Sequence, residues 1–363
     1  MDILTFAQDK DVEIAVRDYF NDFLKSQNRY SGYVDNTISF AEKEKNVNRL
    51  VMGAIKEISG CNYDTSLVSA ESMASNPMFR WAAMAVRDAL VDMILPDFLD
   101  PSIGLYTETR NGALGDTFKF EIESNEVFIA SKAGRNIRTT EFQREEIGQR
   151  SIVPFNHSVA VAVDWFKVAC GKASLAKYLY KAALALEEAM SNDVVGAFTT
   201  AMTEVNTSGA AKLKVAGYAS SSDDSKIMEL VDTVSAWNNA PAMFLGTRVA
   251  AHKLLPKNAG TRIEIDSNYV KVGYLDTIFD TKVAVMKNYA KCGATDYSLA
   301  LPNDRIYVVS TAGQKPVKLC LEGATHSNSQ DYMANADLTS NTTINKSWGV
   351  GVVTNEVAGY IAL

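Results

Sequence analysis

The chain has 363 residues, with 36 Lys and Arg against 43 Asp and Glu, a net charge of −7 and 47% hydrophobic residues. This is the composition of a globular protein with a core of its own, long enough for two or three domains, and its acidic balance argues against a surface that wraps nucleic acid. The opening MDILTFAQDKDVEIAVRDYF has neither the basic start nor the apolar stretch of a secretory leader, and no apolar run is long enough to cross a bilayer.

Ala7 to Lys25 carries Val12, Ile14, Val16, Tyr19, Phe20 and Phe23 on an apolar face and reads as a helix. Asn46 to Ile58 and Asn76 to Phe98 continue the habit; Asn76-Pro77 supplies a capping side chain and a first-turn proline, and Pro96 and Pro101 are expected to stop the last helix. The period then changes to two. Phe118, Phe120 and Ile122 alternate with Lys119, Glu121 and Glu123, a turn is expected at Ser124-Asn125, and Val127 to Ala130 starts a returning strand. The polar, charge-rich stretch that follows suits a hairpin that projects from the body or lies on a neighbour.

Val159, Val161 and Val163 form a strand, and Leu175, Leu179, Ala182, Leu186, Met190 and Val194 mark one stripe of a long helix over Lys172 to Glu204. An α/β pattern follows: a helix over Asp223 to Trp237, a strand and short helix in AMFLGTRVAAHKLLP, a turn at Gly273, a strand over Lys282 to Met286, and strands in DRIYVVST and KPVKLCLEG. Ala324 to Lys346, dominated by Asn, Ser and Thr, reads as a long polar loop, and SWGVGVVTNEVAGYIAL closes the chain with a strand, a turn and an apolar run.

Chemistry-bearing patterns are sparse. Cys61, Cys170, Cys292 and Cys320 are scattered, which suits free thiols in a reducing cytoplasm rather than a disulfide frame or a metal site. His157 beside Ser158 suggests a Ser/His hydrolase, the reading from a different class, but no GxSxG elbow is present. Gly349-Val350-Gly351 is only a fragment of a nucleotide fingerprint. Arg135, Arg138 and Arg144 are interleaved with Glu141, Glu145 and Glu146, a pattern for protein contacts. No catalytic residue, cofactor or metal is expected.

The order of these elements resembles the major capsid protein of tailed bacteriophages, the Hong Kong 97-type shell fold, over Gly104 to Leu363. FLGTRVAAHKLLPKNAGTRI followed by VGYLDTIFDTKVAVMKNYA resembles that family's axial passage, with Asp280-Thr281-Lys282-Val283 where Gly and Pro are usual. KPVKLCLEGA and WGVGVVTNEVAGYIAL resemble its closing passage. The resemblance implies an α+β fold with a helical N-terminal arm (1–103), an extended loop (104–150), a peripheral domain with a spine helix (151–207 and 311–346) and an axial domain (208–310 and 347–363).

It further implies pentamers and hexamers that build an icosahedral or prolate shell, enclosing double-stranded DNA without sequence-specific binding. Its partners would be copies of itself, a scaffolding protein, a portal and a decoration protein, with no membrane. The protein would be made in the host cytoplasm and end in the virion. Phe118, Phe120, Ile122, Phe128, Ile129, Arg135, Arg138 and Arg144 of the extended loop are expected to touch neighbouring subunits, the apolar ones being buried only in the assembly. Leu175, Leu179, Leu186 and Met190 are expected to seat the spine helix. Some relatives cross-link a loop Lys to an Asn, for which Lys132 with Asn355 or Asn345 are the candidates. An encapsulin-type bacterial compartment is the alternative on the same fold.

Overall fold

The computed structural model describes residues 10–26, 37–61, 72, 75–98, 103–122, 148–163, 167, 172–207, 213–218, 222–255, 272–291, 295–311, 315–329, 340–353 and 356–363. Three helices come first: α1 (Lys10–Ser26), α2 (Phe40–Ser59) and α3 (Pro77–Phe98). The second begins six residues before the expected Asn46, because Ser39 and Glu42 bond each other's backbone N–H groups across the first turn. Gly60 closes it in the left-handed region at φ 66°. Asn76 caps α3 as expected, accepting from Met78 N–H at 2.9 Å. The helix ends at Phe98, as expected, with Pro96 in its last turn, where a proline costs one backbone bond rather than a kinked interior.

These helices do not stand away as an arm. Val16, Tyr19, Phe20, Val47, Val51, Phe79 and Val86 are buried in a core shared with the long helix α4 (Leu175–Thr207). The Phe20 and Phe23 rings lie 5.5 and 4.0 Å from that of Tyr180. Lys43, 5% exposed, ties α2 to α1 through Asp18 at 3.0 Å and Asp22 at 3.3 Å.

A four-stranded sheet has the order β1 (Thr107–Gly112), β10 (Val317–Ser329), β11 (Ser340–Val352), β4 (Phe155–Val163). The first pair is parallel and the others antiparallel. Two expectations change here. Thr107–Gly112, expected in the extended loop, is a sheet member. Most of the described part of 324–346, expected as a loop, is strand, because Thr342, Ile344 and Lys346 alternate inward beneath the helices while Asn341, Thr343 and Asn345 face outward. The boundary expected at 346 falls inside β11.

α3 and α4 cover one face of this sheet. The expected spine helix is present and spans about 50 Å at 1.5 Å per residue. Its Ala182, Leu186, Met190 and Val194 are buried, as expected. A bulge between Glu322 and His326 turns strand N–H groups outward from the ladder. Asp92 of α3 accepts from Thr325 N–H at 2.9 Å and from Lys346 Nζ at 2.9 Å, and Asp88 accepts from Ser327 N–H at 3.0 Å.

The second, six-stranded sheet has the order β5 (Lys214–Val215), β12 (Gly359–Ala362), β9 (Arg305–Ser310), β6 (Ala242–Gly246), β8 (Thr281–Val285), β7 (Thr277–Ile278). On one face, Phe244, Ile306, Val308 and Ile361 pack under α5 (Ser222–Asn238) and α6 (Arg248–Lys253). On the other, Met243, Leu245, Tyr307 and Val309 join the main core. Phe198 of α4 lies 5.0 Å from the Tyr307 ring and 4.8 Å from Tyr106, so the long helix braces both sheets. The architecture is α+β, and the described elements follow the order that the resemblance implies.

Candidate functional site

β2 (Phe118–Ile122) and β3 (Gly148–Ile152) form a two-stranded antiparallel sheet of their own, with Phe118 opposite Ile152 and Phe120 opposite Arg150. A tight turn delivers the chain to it: Asp116 Oδ2 accepts from Ala113 N–H at 2.6 Å, Gly115 sits at φ 89°, and its N–H donates to Glu322 at 2.7 Å. The returning arm expected at Val127 to Ala130 lies outside the described residues; the described partner strand is β3.

The root of this hairpin crosses one end of the four-stranded sheet, on the face away from the helices. Strand alternation sends Val317, Leu319 and Leu321 of β10 to the helices, and Lys318 and Cys320 to the hairpin. Phe118, Phe120, Ile152, Cys320 and Val353 close into a small separate cluster. Gly349 and Gly351 lie opposite Cys320 and Lys318 on that same face. A Cβ on Gly351 would stand 2.7 Å from Ile152 Cδ1, and one on Gly349 would stand 2.9 Å from Val153 O. The period-two glycines thus open a backbone seat for the hairpin and have nothing to do with a nucleotide.

Charge completes the root. The Arg110 guanidinium lies 4.3 Å from the Phe120 ring centroid, and Lys318 Nζ lies 5.8 Å from it. Lys318, 2% exposed, donates to Glu108, which also accepts from Arg110 Nε at 2.8 Å. Burial works against charge on Glu108, but hydrogen bonds from Lys318 and Arg110 outweigh it and hold the carboxyl below its ordinary value. Beside this fixed base, Leu114 and Val153 are 72% and 66% exposed; Phe155, 68% exposed, stands in register with Trp348 on the other face.

The expectation that the loop's apolar residues are buried only between subunits is corrected for Phe118 and Phe120, which are buried within the single chain at 6% and 0% exposure. The Ile122 side chain, Phe128, Ile129, Arg135, Arg138, Arg144, Lys132 and Asn355 lie outside the described residues, as do the side chains of Leu175 and Leu179. Leu186 and Met190 do seat the long helix. Asn345 stands on the outward face of β11. Sequence reading missed Glu108, Arg110 and Lys318; the run of period-two glycines was the available signal for the seat.

The hydrolase pair is not assembled. His157 and Ser158 are successive residues of β4 and point to opposite faces, opposite Lys346 and Asn345 respectively. The His157 ring stacks on Trp348 at 3.7 Å, its Nε2 is 3.4 Å from Asp193 and its Nδ1 is 3.1 Å from Phe155 O. Trp348 Nε1 donates to the same Asp193 at 2.9 Å, so the group clamps β4 and β11 to α4. Among the described residues there is no group of three or more metal-ligating side chains, and no helix is long and apolar enough to cross a membrane. A cavity between the two sheets, lined by Tyr106, Met202, Met243, Val309 and Lys315, holds about 80 Å³, well below the roughly 300 Å³ at which small-molecule sites begin.

No protein-family model matches the chain, and no curated protein sequence matches it. Solved structures do. The mature capsid of bacteriophage PhiM1 aligns with a TM-score of 0.48 at 9% identity, covering 72% of this chain and 86% of that one. The capsid of the cyanophage P-SCSP1u aligns with a TM-score of 0.46 at 14% identity, covering 71% and 86%. The capsid of a native GTA particle aligns with a TM-score of 0.47 at 13% identity, covering 72% and 89%. These similar structures are capsids.

Proposed function

We propose that this chain is a capsid subunit whose copies assemble into a closed shell around double-stranded DNA, as the major structural protein of a tailed phage. The observation that carries the reading is the hairpin root: a two-stranded sheet is locked onto the subunit by Phe120, Arg110 and Lys318, while Leu114 and Val153 beside it face water. A rigid base beside large exposed apolar side chains is a surface that waits for a partner. In this reading the partner is a neighbouring copy, arranged in pentamers and hexamers. The role is structural, in the virion, after synthesis in the host cytoplasm, with a scaffolding protein, a portal and a decoration protein as accessory partners.

The test is electron microscopy and light scattering of the purified chain, with scaffold supplied where the chain alone stays small. Closed particles are expected from the wild type. The double variant Leu114→Ser/Val153→Ser is expected to keep its melting temperature within a few degrees and to lose particle formation. A wild type that remains a small species with scaffold present would sink the shell reading, and particles loaded with protein cargo rather than DNA would reassign the shell to a compartment.

A further inference from the structure

The six-stranded sheet presents two helices to solvent, and they carry opposite charge. α5 buries Asp223 and Asp224, Asp223 holding Lys226 at 2.7 Å and Asp224 accepting from the Tyr218 hydroxyl at 2.7 Å, so its exposed carboxylates are Glu229 and Asp232. Its Ile227, Leu230 and Val234 are buried against the sheet. Its outward side is a shallow hollow with Ser225, Thr233 and Ala236 between Met228 and Trp237, bordered by Glu229 and Asp232. Trp237 is 68% exposed and Met228 41%.

α6 is the complement. It bears Arg248, His252 and Lys253 and no carboxylate, and its inward Ala250 and Ala251 are buried. The outward side centres on Val249, 49% exposed. His252 Nδ1 lies 2.8 Å from Gly273 O and Lys253 Nζ lies 3.4 Å from Asn303 O, which steadies the far end of the short helix.

An exposed tryptophan beside the exposed carboxylates Glu229 and Asp232 suits a small branched apolar group carried among cations. Tryptophan is the side chain most enriched among interface anchors, and opposite potentials set the register of a contact while like charges reject wrong ones. We infer that the acidic face of α5, with Trp237, docks on the basic face of α6 of a second copy, Val249 packing against Trp237. Glu229 and Asp232 then meet Arg248 and Lys253. One chain carries both halves at separate places on the same helical layer, α5 toward the β5 side and α6 toward the β8 side. The contact therefore repeats from copy to copy. This inference rests on the shell reading and names one of its interfaces.

The test mixes ¹⁴N- and ¹⁵N-labelled copies, lets them assemble, and couples carboxylates to lysines with a zero-length carbodiimide reagent. Mass spectrometry should find Lys253 joined to Glu229 or Asp232 in mixed-isotope peptides. The charge-reversed variant Glu229→Lys/Asp232→Lys should assemble at least tenfold more slowly at low salt, and adding Arg248→Glu/Lys253→Glu should restore the rate. Wild-type particles that show no mixed-isotope link, and that form equally well after charge reversal, would overturn this contact and leave the shell reading standing. Wild-type copies that never associate would overturn both, and the two failures are told apart by the wild type alone.

Discussion

Two sheets of this molecule are secured by unequal means. The six-stranded sheet is covered on both faces, and Phe244, Leu245, Ile306 and Val308 within it are 0% exposed. The two-stranded sheet β2–β3 is secured by a five-residue cluster, one ring between two cations and a pair of missing side chains at Gly349 and Gly351. A sheet inside a sandwich opens only when the whole subunit opens, whereas one pinned at a small root can open by itself. Of these two sheets, the one beside the exposed Leu114 and Val153 is therefore the one with the more local means of attachment.

The largest effect should come from Phe244→Ala, which empties a fully buried aromatic site and should cost about 3–5 kcal/mol of global stability in urea unfolding. Phe120→Ala removes a similar volume from the hairpin root, and about 3 kcal/mol should be lost there instead. Its readout is Cys320, whose thiol is buried and pushed up to about 11 by that burial. With Cys61, Cys170 and Cys292 replaced by Ser, labelling of Cys320 should accelerate many-fold in Phe120→Ala while the main unfolding midpoint moves little. An equal fall of that midpoint in both variants would erase the distinction between the sheets.

Gly349→Val should act on the same side of the comparison at about 1–3 kcal/mol, since its added atoms meet the Val153 carbonyl. Faster amide exchange confined to β2 and β3 would sharpen the comparison, and faster exchange throughout β11 would break it. Acid separates the regions further. A carboxyl held below its ordinary value, as Glu108 is, stabilises the fold above the unfolded value, and that contribution is lost as pH falls through the folded value. Asp88 in α3 is raised by burial, so its contribution grows as pH falls through its folded value. Below the ordinary Glu value of 4.5, amide exchange of β2 and β3 should therefore accelerate relative to that of α3, and Lys318→Met should shrink that pH step, Arg110 still holding Glu108. The smallest effect is Ser39→Ala, about 1 kcal/mol from a lost helix cap, remote from both sheets and visible only in the thermal midpoint.

Local periodicity revealed the elements, and long-range pairing decided their use. Phe118 and Phe120 announced a strand, but their burial depends on Cys320 and Val353, far along the chain, which no window of neighbouring residues contains. Glu108 meets Lys318 because β1 pairs with β10 in parallel register, Glu108 opposite Lys318. The polar run through Thr342 and Asn345 looked like a loop because Asn, Ser and Thr favour turns; it is a strand because one face is roofed by helices and a bulge supplies Asp92 with donors. Ser39 and Glu42 were legible as a capping box in ISFAEKEK. Residues 1–103 suggested an arm because amphipathic helices do not disclose which surface receives them; Tyr180 and Phe20 do so only in three dimensions.

The root of the hairpin has a consequence for the order of events on the ribosome. Its seat is made from β1, the start of β10, the end of β11 and Val353. At a synthesis rate of about 5–20 residues per second, β2 emerges well before the strands that must receive Phe120. The hairpin therefore has no place to land until nearly all the described chain has been made. A chain stalled before β11 lacks the glycine seat and so holds its hairpin unseated.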